Sequence, residues 1–299
     1  MTKEDRIKKQ LAKVNKTLFK ANFLTNQVMS GEYSSAFKGQ GLEFNEVREY
    51  MIGDDVRTID WNVTARTGKP YVKSFNEERE LSVMVMVDAS QSMFFGSGEE
   101  ARLERAAAIS AFLSFSAIKN NDKVGLIIFN ESVEKYIPYK KGKSHIWNII
   151  NELVTFQPQG KSSNLEGALE FLLKVINRKT IVFIISDFYL TNYEKSIKVA
   201  SKRHDIIAIR LKERFEEALP DVGLIEITDF ESGGKYILDT GNTKTRETFI
   251  KNLEEYKNAL QVFLKKNKID LIEIGNNDNV SKEFYAFFKN REKKFLKFH

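Results

Sequence analysis

Leu81-Ser82-Val83-Met84-Val85-Met86-Val87-Asp88-Ala89-Ser90-Gln91-Ser92-Met93 is the stretch that decides the fold. An apolar run rich in β-branched residues stops at an aspartate, and serines follow at positions 90 and 92. Both faces of the run are apolar, which predicts a buried strand of a parallel sheet. In open α/β sheets, ligands collect beyond the carboxyl ends of the strands, where Asp88 would sit. If the chain stays extended there, Asp88, Ser90 and Ser92 project to one side. A carboxylate with two hydroxyls is a hard oxygen set, suited to Mg²⁺, Mn²⁺ or Ca²⁺ and poor for zinc or copper.

Asp-x-Ser-x-Ser is short enough to arise by chance, so its context carries the weight. A second apolar strand, Thr180–Ser186, also ends in an aspartate, Asp187. Between the two lies Gly160-Lys161-Ser162-Ser163-Asn164-Leu165-Glu166-Gly167-Ala168-Leu169, a loop running into a helix. In this order the pieces resemble the von Willebrand factor A fold with its metal-ion-dependent adhesion site. The resemblance implies Asp88, Ser90 and Ser92 as the first ligand group, Ser163 as the hydroxyl of the second loop, and Asp187 as the third. Where that family usually has threonine, this chain has Ser163, which keeps the oxygen and drops the methyl; Ser162 is a neighbouring candidate. Strand-end aspartates also serve merely to cap loops, and many domains of this fold have lost their metal.

The chain's 299 residues suit one large domain, or one domain with a substantial extension. A hydrophobic content of 42% supports a real core, and only 4 prolines argue against long linkers. With 0 cysteines, disulfides, thiolate zinc sites and cysteine nucleophiles are excluded, and a reducing compartment is expected. The start of the chain has no apolar segment of the secretory kind, and no run approaches the roughly 18–20 apolar residues of a membrane helix. A cytoplasmic protein without a membrane span is therefore expected. The net charge of +6 is unevenly spread: residues 1–20 carry +5 and residues 281–299 carry +4, which leaves the body at −3. Basic ends can touch nucleic acid. The stripe Ile7, Leu11, Val14 and Leu18 favours an ordinary docking helix instead, so nucleic acid is not the expected partner.

From Ser82 onward apolar strands alternate with helices, which predicts an α/β fold: a doubly wound, mainly parallel sheet of Rossmann type. Helices are expected over Glu99–Lys119, Ser144–Val154, Leu165–Ile176, Tyr193–Ser201 and Thr243–Lys266. Strands are expected over Lys123–Asn130, Ser132–Pro138 (a returning edge), Asp205–Leu211 and Ile269–Ile274. Residues 212–242 break the alternation. There Leu224–Thr228 and Lys235–Leu238 flank Glu231-Ser232-Gly233-Gly234 as a hairpin insertion. The expected organisation is an N-terminal helix and charged arm (1–79), the sheet domain (80–275), and a basic helical tail (276–299) with Phe284, Phe287 and Phe288 on one face.

The arm has its own signature. Gly39-Gln40-Gly41-Leu42-Glu43-Phe44 leads to Arg48, Tyr50, Gly53-Asp54-Asp55, Arg57-Thr58-Ile59-Asp60-Trp61 and Ala65-Arg66; Pro70-Tyr71, Phe75 and Glu78-Arg79-Glu80 follow. Over roughly residues 30–190 this resembles the bacterial family known as domain of unknown function 58. Members of that family are commonly encoded beside MoxR-type AAA+ ATPases, which implies such an ATPase as a partner. Physically, the arm's arginines and acids read either as a network of bidentate pairs or as a partner-binding surface on Asp54, Arg57, Asp60, Trp61 and Arg66.

An enzyme finds little support. Gly142-Lys143-Ser144 and Gly160-Lys161-Ser162 are not P-loops, because Ile137 and Thr155 stand where that motif needs glycine. His145, His204 and His299 are scattered, and no catalytic residue is nominated. A Mg²⁺-dependent phosphohydrolase or nuclease is the second reading and a nucleic-acid binder the third. The leading expectation is a non-enzymatic, metal-dependent protein-binding module. Its ion, short of carboxylate ligands, would accept an acidic side chain from a partner such as a MoxR-type ATPase.

Overall fold

The computed structural model describes residues 42–77, 80–96, 101–228 and 234–297, with positions 14–17, 21, 25, 33 and 35–37. Two strands, β1 (Leu42–Glu49) and β2 (Tyr71–Glu77), pair antiparallel as a separate hairpin. The main sheet follows with β3 (Ser82–Asp88), β4 (Lys123–Phe129), β5 (Val133–Lys140), β6 (Ile181–Ser186) and β7 (Asp205–Leu211). Next β8 (Leu224–Thr228) and β9 (Lys235–Asp239) form the inserted hairpin, and β10 (Asp270–Ile274) completes the main sheet. Its spatial order is β10-β7-β6-β3-β4-β5, parallel throughout except for the antiparallel edge strand β5. The helices are α1 (Trp61–Thr67), α2 (Arg102–Lys119), α3 (Lys143–Thr155), α4 (Leu165–Val175), α5 (Glu194–Arg203), α6 (Thr243–Lys266) and α7 (Val280–Lys297).

The doubly wound α/β architecture follows from strands that are apolar on both sides. Val83, Val85 and Val87 of β3 face a core shared with α2, α3 and α7, while Met84 and Met86 face α4, α5 and α6. Each strand thus places alternate side chains in opposite layers, and both layers are apolar. Element boundaries depart from expectation by a residue or two. The larger shift is at α2, which begins at Arg102 and not Glu99; residues 97–100 lie outside the described ones. Of the N-terminal stripe, Val14 is buried, and Ile7, Leu11 and Leu18 lie outside the described residues. So do Gly39-Gln40-Gly41, Glu78-Arg79, Gly233 and His299. Among the described residues no helix is long and apolar enough to cross a membrane.

The basic tail packs inward. Phe284 and Phe288 of α7 are fully buried, and Phe287 packs partly against the same core. Tyr33 and Phe37 join them, with ring centroids 5.6 Å and 5.9 Å from Phe288. Arg291 clamps this corner: it stacks 4.8 Å over Phe37, donates to the Ala36 carbonyl, and pairs with Asp205 and with Asp270 at 2.8 Å. The aromatic face seen in the sequence is therefore a seal over the sheet.

At the amino ends of the strands Asp122 is buried. Its Oδ1 accepts from Leu81 N at 2.8 Å, and burial pushes the carboxyl up to about 7. The folded protein then holds a proton that the unfolded chain releases near pH 4. Its contribution to stability is present at low pH and falls as pH rises through about 7. Asp122→Asn keeps the acceptor for Leu81, so its melting temperature should gain on the wild type between pH 5 and 8. A constant difference across that window would contradict the assignment. Phe288→Ala should cost about 3–5 kcal/mol in urea unfolding; a loss under about 1 kcal/mol would show that α7 does not seal this face.

Candidate metal centre

The order of the sheet reverses between β3 and β6, the switch point at which α/β sheets open a crevice beyond the strand ends. Asp88 closes β3 and Asp187 follows β6, at 0% and 2% exposure. The first loop is pinned by backbone bonds: Ala89 N donates to Phe129 O and Gln91 N to Lys161 O, both at 2.8 Å. The second of these bonds ties the Asp-x-Ser-x-Ser loop to the loop carrying Ser163.

The side chains converge on Asp88. Its Oδ1 accepts from Ser90 N at 2.9 Å, and its Oδ2 accepts from Ser163 Oγ at 3.0 Å and Ser186 Oγ at 2.8 Å. Ser90 Oγ and Ser92 Oγ lie 3.2 Å apart. Asp88, Ser90, Ser92 and Ser163 thus form one connected cluster of oxygens. Ser162 does not join Asp88: its backbone N–H is held by Glu131 at 3.2 Å. Asp187 turns the other way. Its Oδ1 accepts from Tyr189 N at 3.2 Å and its Oδ2 lies 3.4 Å from Arg102 Nη1. Between these carboxylates Ser186 has two tasks, because it also accepts from Phe188 N at 2.9 Å. Phe188 is fully buried at φ 61°, a left-handed conformation unusual for a bulky residue, and Tyr256 donates to its carbonyl.

Among the described residues Asp88 has no cationic partner, and every donor it has is neutral. Burial, then the charge of Asp187, push its carboxyl up to about 6. A buried carboxylate ringed by hydroxyls, beside a second carboxylate, is an environment short of positive charge. The oxygen donors fit a hard divalent cation. Among the described residues no cluster of three or more His, Cys, Asp or Glu exists, so an ion here would depend on the hydroxyls together with Asp88 and Asp187. His145 and His204 lie at the amino ends of the strands, away from this centre: His145 bonds the Val124 carbonyl, and His204 is buried ahead of β7.

Arg102 is the neighbour that local reading misses. Only 5% exposed, it donates to Ser92 O at 3.0 Å and approaches Glu213 Oε1 at 3.3 Å and Glu216 Oε1 at 3.7 Å. Those glutamates sit on a short turn after β7 and are also held by Arg105 and Arg210, each at 2.5 Å. One signal was available: Arg102 and Arg105 occupy the first turn of α2, where the helix dipole disfavours cations.

In the arm, the five nominated residues separate. Asp54 is bound by Arg48 through bonds of 2.8 and 2.7 Å and by Met51 N. Asp60 caps α1 by accepting from Asn62 N and Val63 N, and pairs with Lys73. Arg57, Trp61 and Arg66 are exposed, Trp61 at 70%. Met51, Ile52 and Val56 are exposed on the same segment and lie outside the charged pattern that points to the other five.

Residues 46–259 match the family model described as "Protein of unknown function DUF58". Uncharacterized protein Rv1480 of Mycobacterium tuberculosis is 32% identical over 209 residues, covering 69% of this chain and 66% of that protein. The chain thus spans just under two thirds of that relative's length. Among solved structures, BatB from Bacteroides thetaiotaomicron has a TM-score of 0.46 at 15% identity, covering 71% of this chain and 99% of that one. The SpRpn10 VWA domain has a TM-score of 0.39 at 9% identity, covering 71% and 95%.

Ser186→Ala removes a donor to Asp88 and the acceptor of Phe188 N together. It should destabilise the protein by about 1–3 kcal/mol, measured by urea unfolding; an unchanged midpoint would mean that Ser186 braces neither group.

Proposed function

The chain belongs to the DUF58 family, and from that premise we propose that it is a divalent-ion-dependent protein-binding module. In this reading it is not an enzyme but a cytoplasmic adaptor or chaperone-like partner of a MoxR-type AAA+ ATPase. The carrying observation is Asp88, a fully buried carboxylate at the switch point with neutral donors around it. Asp88, Ser90, Ser92, Ser163 and Asp187 would hold the ion, Mg²⁺ in the first instance, with Mn²⁺ or Ca²⁺ as substitutes. When bound, it supplies an electrophilic position for a carboxylate of the partner.

The chain's own residues do the rest. The Gln91–Lys161 backbone bond fixes the spacing of two ligand loops, and Ser186 holds Asp88 in place. Ser90, Ser92 and Ser163 contribute oxygen without charge, so a bound cation would retain its pull on an anion. The exposed Arg57, Trp61 and Arg66, with Met51, Ile52 and Val56, offer a second surface that supports protein binding, since aromatic and arginine side chains anchor interfaces.

Two measurements test this. By calorimetry, Asp88→Ala should lose Mg²⁺ affinity by about a hundredfold or more while staying folded, because a coordinating charge is removed from outside the hydrophobic layers. In pull-downs, capture of a MoxR-type ATPase should weaken with EDTA and with Asp88→Ala alike. Capture indifferent to both would remove the mechanism. Metal-dependent hydrolysis of phosphate esters that disappears in Asp88→Ala would replace the adaptor with a phosphohydrolase.

A further inference from the structure

We propose that Arg102 is a tethered cation that shares Asp187 with the divalent ion, so that its guanidinium sets the ion's affinity and couples ion binding to the turn bearing Glu213 and Glu216. The inference rests on the reading of the centre as a divalent-ion site.

Position comes first. As the opening residue of α2, Arg102 touches both sides of the centre. Its Nη1 donates to the carbonyl of Ser92 at 3.0 Å and lies 3.4 Å from Asp187 Oδ2. Its Nε and Nη2 point the other way, to Glu213 at 3.3 Å and Glu216 at 3.7 Å. One planar group therefore bridges the first ligand loop, the third ligand loop and the turn that follows β7.

The strength of its bonds is the second observation. Among the described residues, the Ser92 carbonyl is the acceptor with which Arg102 makes an aligned hydrogen bond; its three carboxylate contacts are ion pairs only. Glu213 is bound by Arg105 at 2.5 Å and Asn276 at 2.9 Å. Glu216 is bound by Arg210 at 2.5 Å and by Glu213 N at 3.0 Å. Both acids are thus anchored without Arg102. Its contribution is charge, held between three carboxylates and locked to none of them.

Charge then fixes the direction of the effect. Asp187, Glu213, Glu216 and Glu273 lie against Arg102, Arg105, Arg210 and Lys257, four acids to four cations, and Asp88 beside them is the negative charge left over. A divalent ion at Asp88 turns that deficit into a surplus in a buried setting, where charges act strongly on one another. With an ion bound, the Arg102 guanidinium would shift its weight from Asp187 toward Glu213 and Glu216, leaving Asp187 available as a ligand.

The test uses the full chain and titrates it with Mg²⁺ and Mn²⁺ alone. Arg102→Met removes the charge and keeps the bulk, and should bind either ion roughly tenfold more tightly than the wild type. Arg102→Lys keeps the charge and should stay within about threefold. Glu213→Gln removes the acid that draws Arg102 away, and should weaken ion binding by roughly threefold or more. Opposite signs from two adjacent changes cannot come from a general loosening, and circular dichroism confirms that each variant is folded. Mg²⁺ should also slow amide exchange over residues 212–218 in the wild type and leave it unchanged in Arg102→Met. Tighter binding by Arg102→Met supports the proposal even if the wild type binds too weakly to measure. If the wild type binds and Arg102→Met binds equally or more weakly, the competitor role is wrong and the ion site stands. If no variant binds either ion, the ion site itself fails and the inference goes with it.

Discussion

Covering both faces of a parallel sheet confines polar chemistry to the strand ends, and the rest of this molecule follows from that constraint. The layers beside β3 and β6 are built of apolar side chains, so an aspartate one residue earlier, at position 87, would be stranded among valines and isoleucines such as Val85, Ile128 and Ile185. At the carboxyl end the loops rise away from the sheet and bring backbone N–H groups and hydroxyls with them. The crossovers pass to opposite sides of β3 and β6, and this separation opens the space between the two aspartates. The amino ends, by contrast, answer their acids with cations, Glu80 with Lys123 and Lys141, and Asp205 and Asp270 with Arg291.

How much of this was legible in the sequence depends on the distance over which each signal acts. Strands with both faces apolar, aspartates at their ends, and the Gly160–Leu165 entry into a helix are local patterns, and the sheet and the Asp88–Ser163 meeting follow from them. Ser186 was in plain view as the residue before Asp187. Its bond to Asp88 spans 98 positions, however, and depends on the parallel register that pairs Val87 with Ile185. The pairing of Arg105 with Glu213 spans 108 positions and has no periodicity to betray it. Glu99 and Glu100 have the look of an acidic first turn, whereas α2 opens on arginines whose acidic partner Glu213 follows β7, more than a hundred positions on.

The arm shows the same division on a smaller scale. Its charged residues suggested either a network or a surface, and the structure distributes them between both. The acids are consumed locally, Asp54 by Arg48 and a turn amide, Asp60 by the amides that open α1. Arg57, Arg66 and Trp61 of the same motif face outward with three apolar neighbours. A motif of alternating charge therefore sorts by reach: short carboxylates find backbone amides within a few residues, and long cationic side chains extend past them.

Phe188 gives the centre one further property. Its backbone is left-handed, and that geometry turns the chain sharply after Asp187. Such a conformation persists only where surroundings over-determine it. Here they do so from two sides, through the Ser186 and Tyr256 bonds and through a ring sunk in the layer formed by α4, α5 and α6. The orientation of a polar aspartate is thus written partly in hydrophobic contacts on the far side of the sheet. Natural sequence drift in that greasy layer is consequently not neutral for the polar crevice, and residues that never approach the centre are constrained by it.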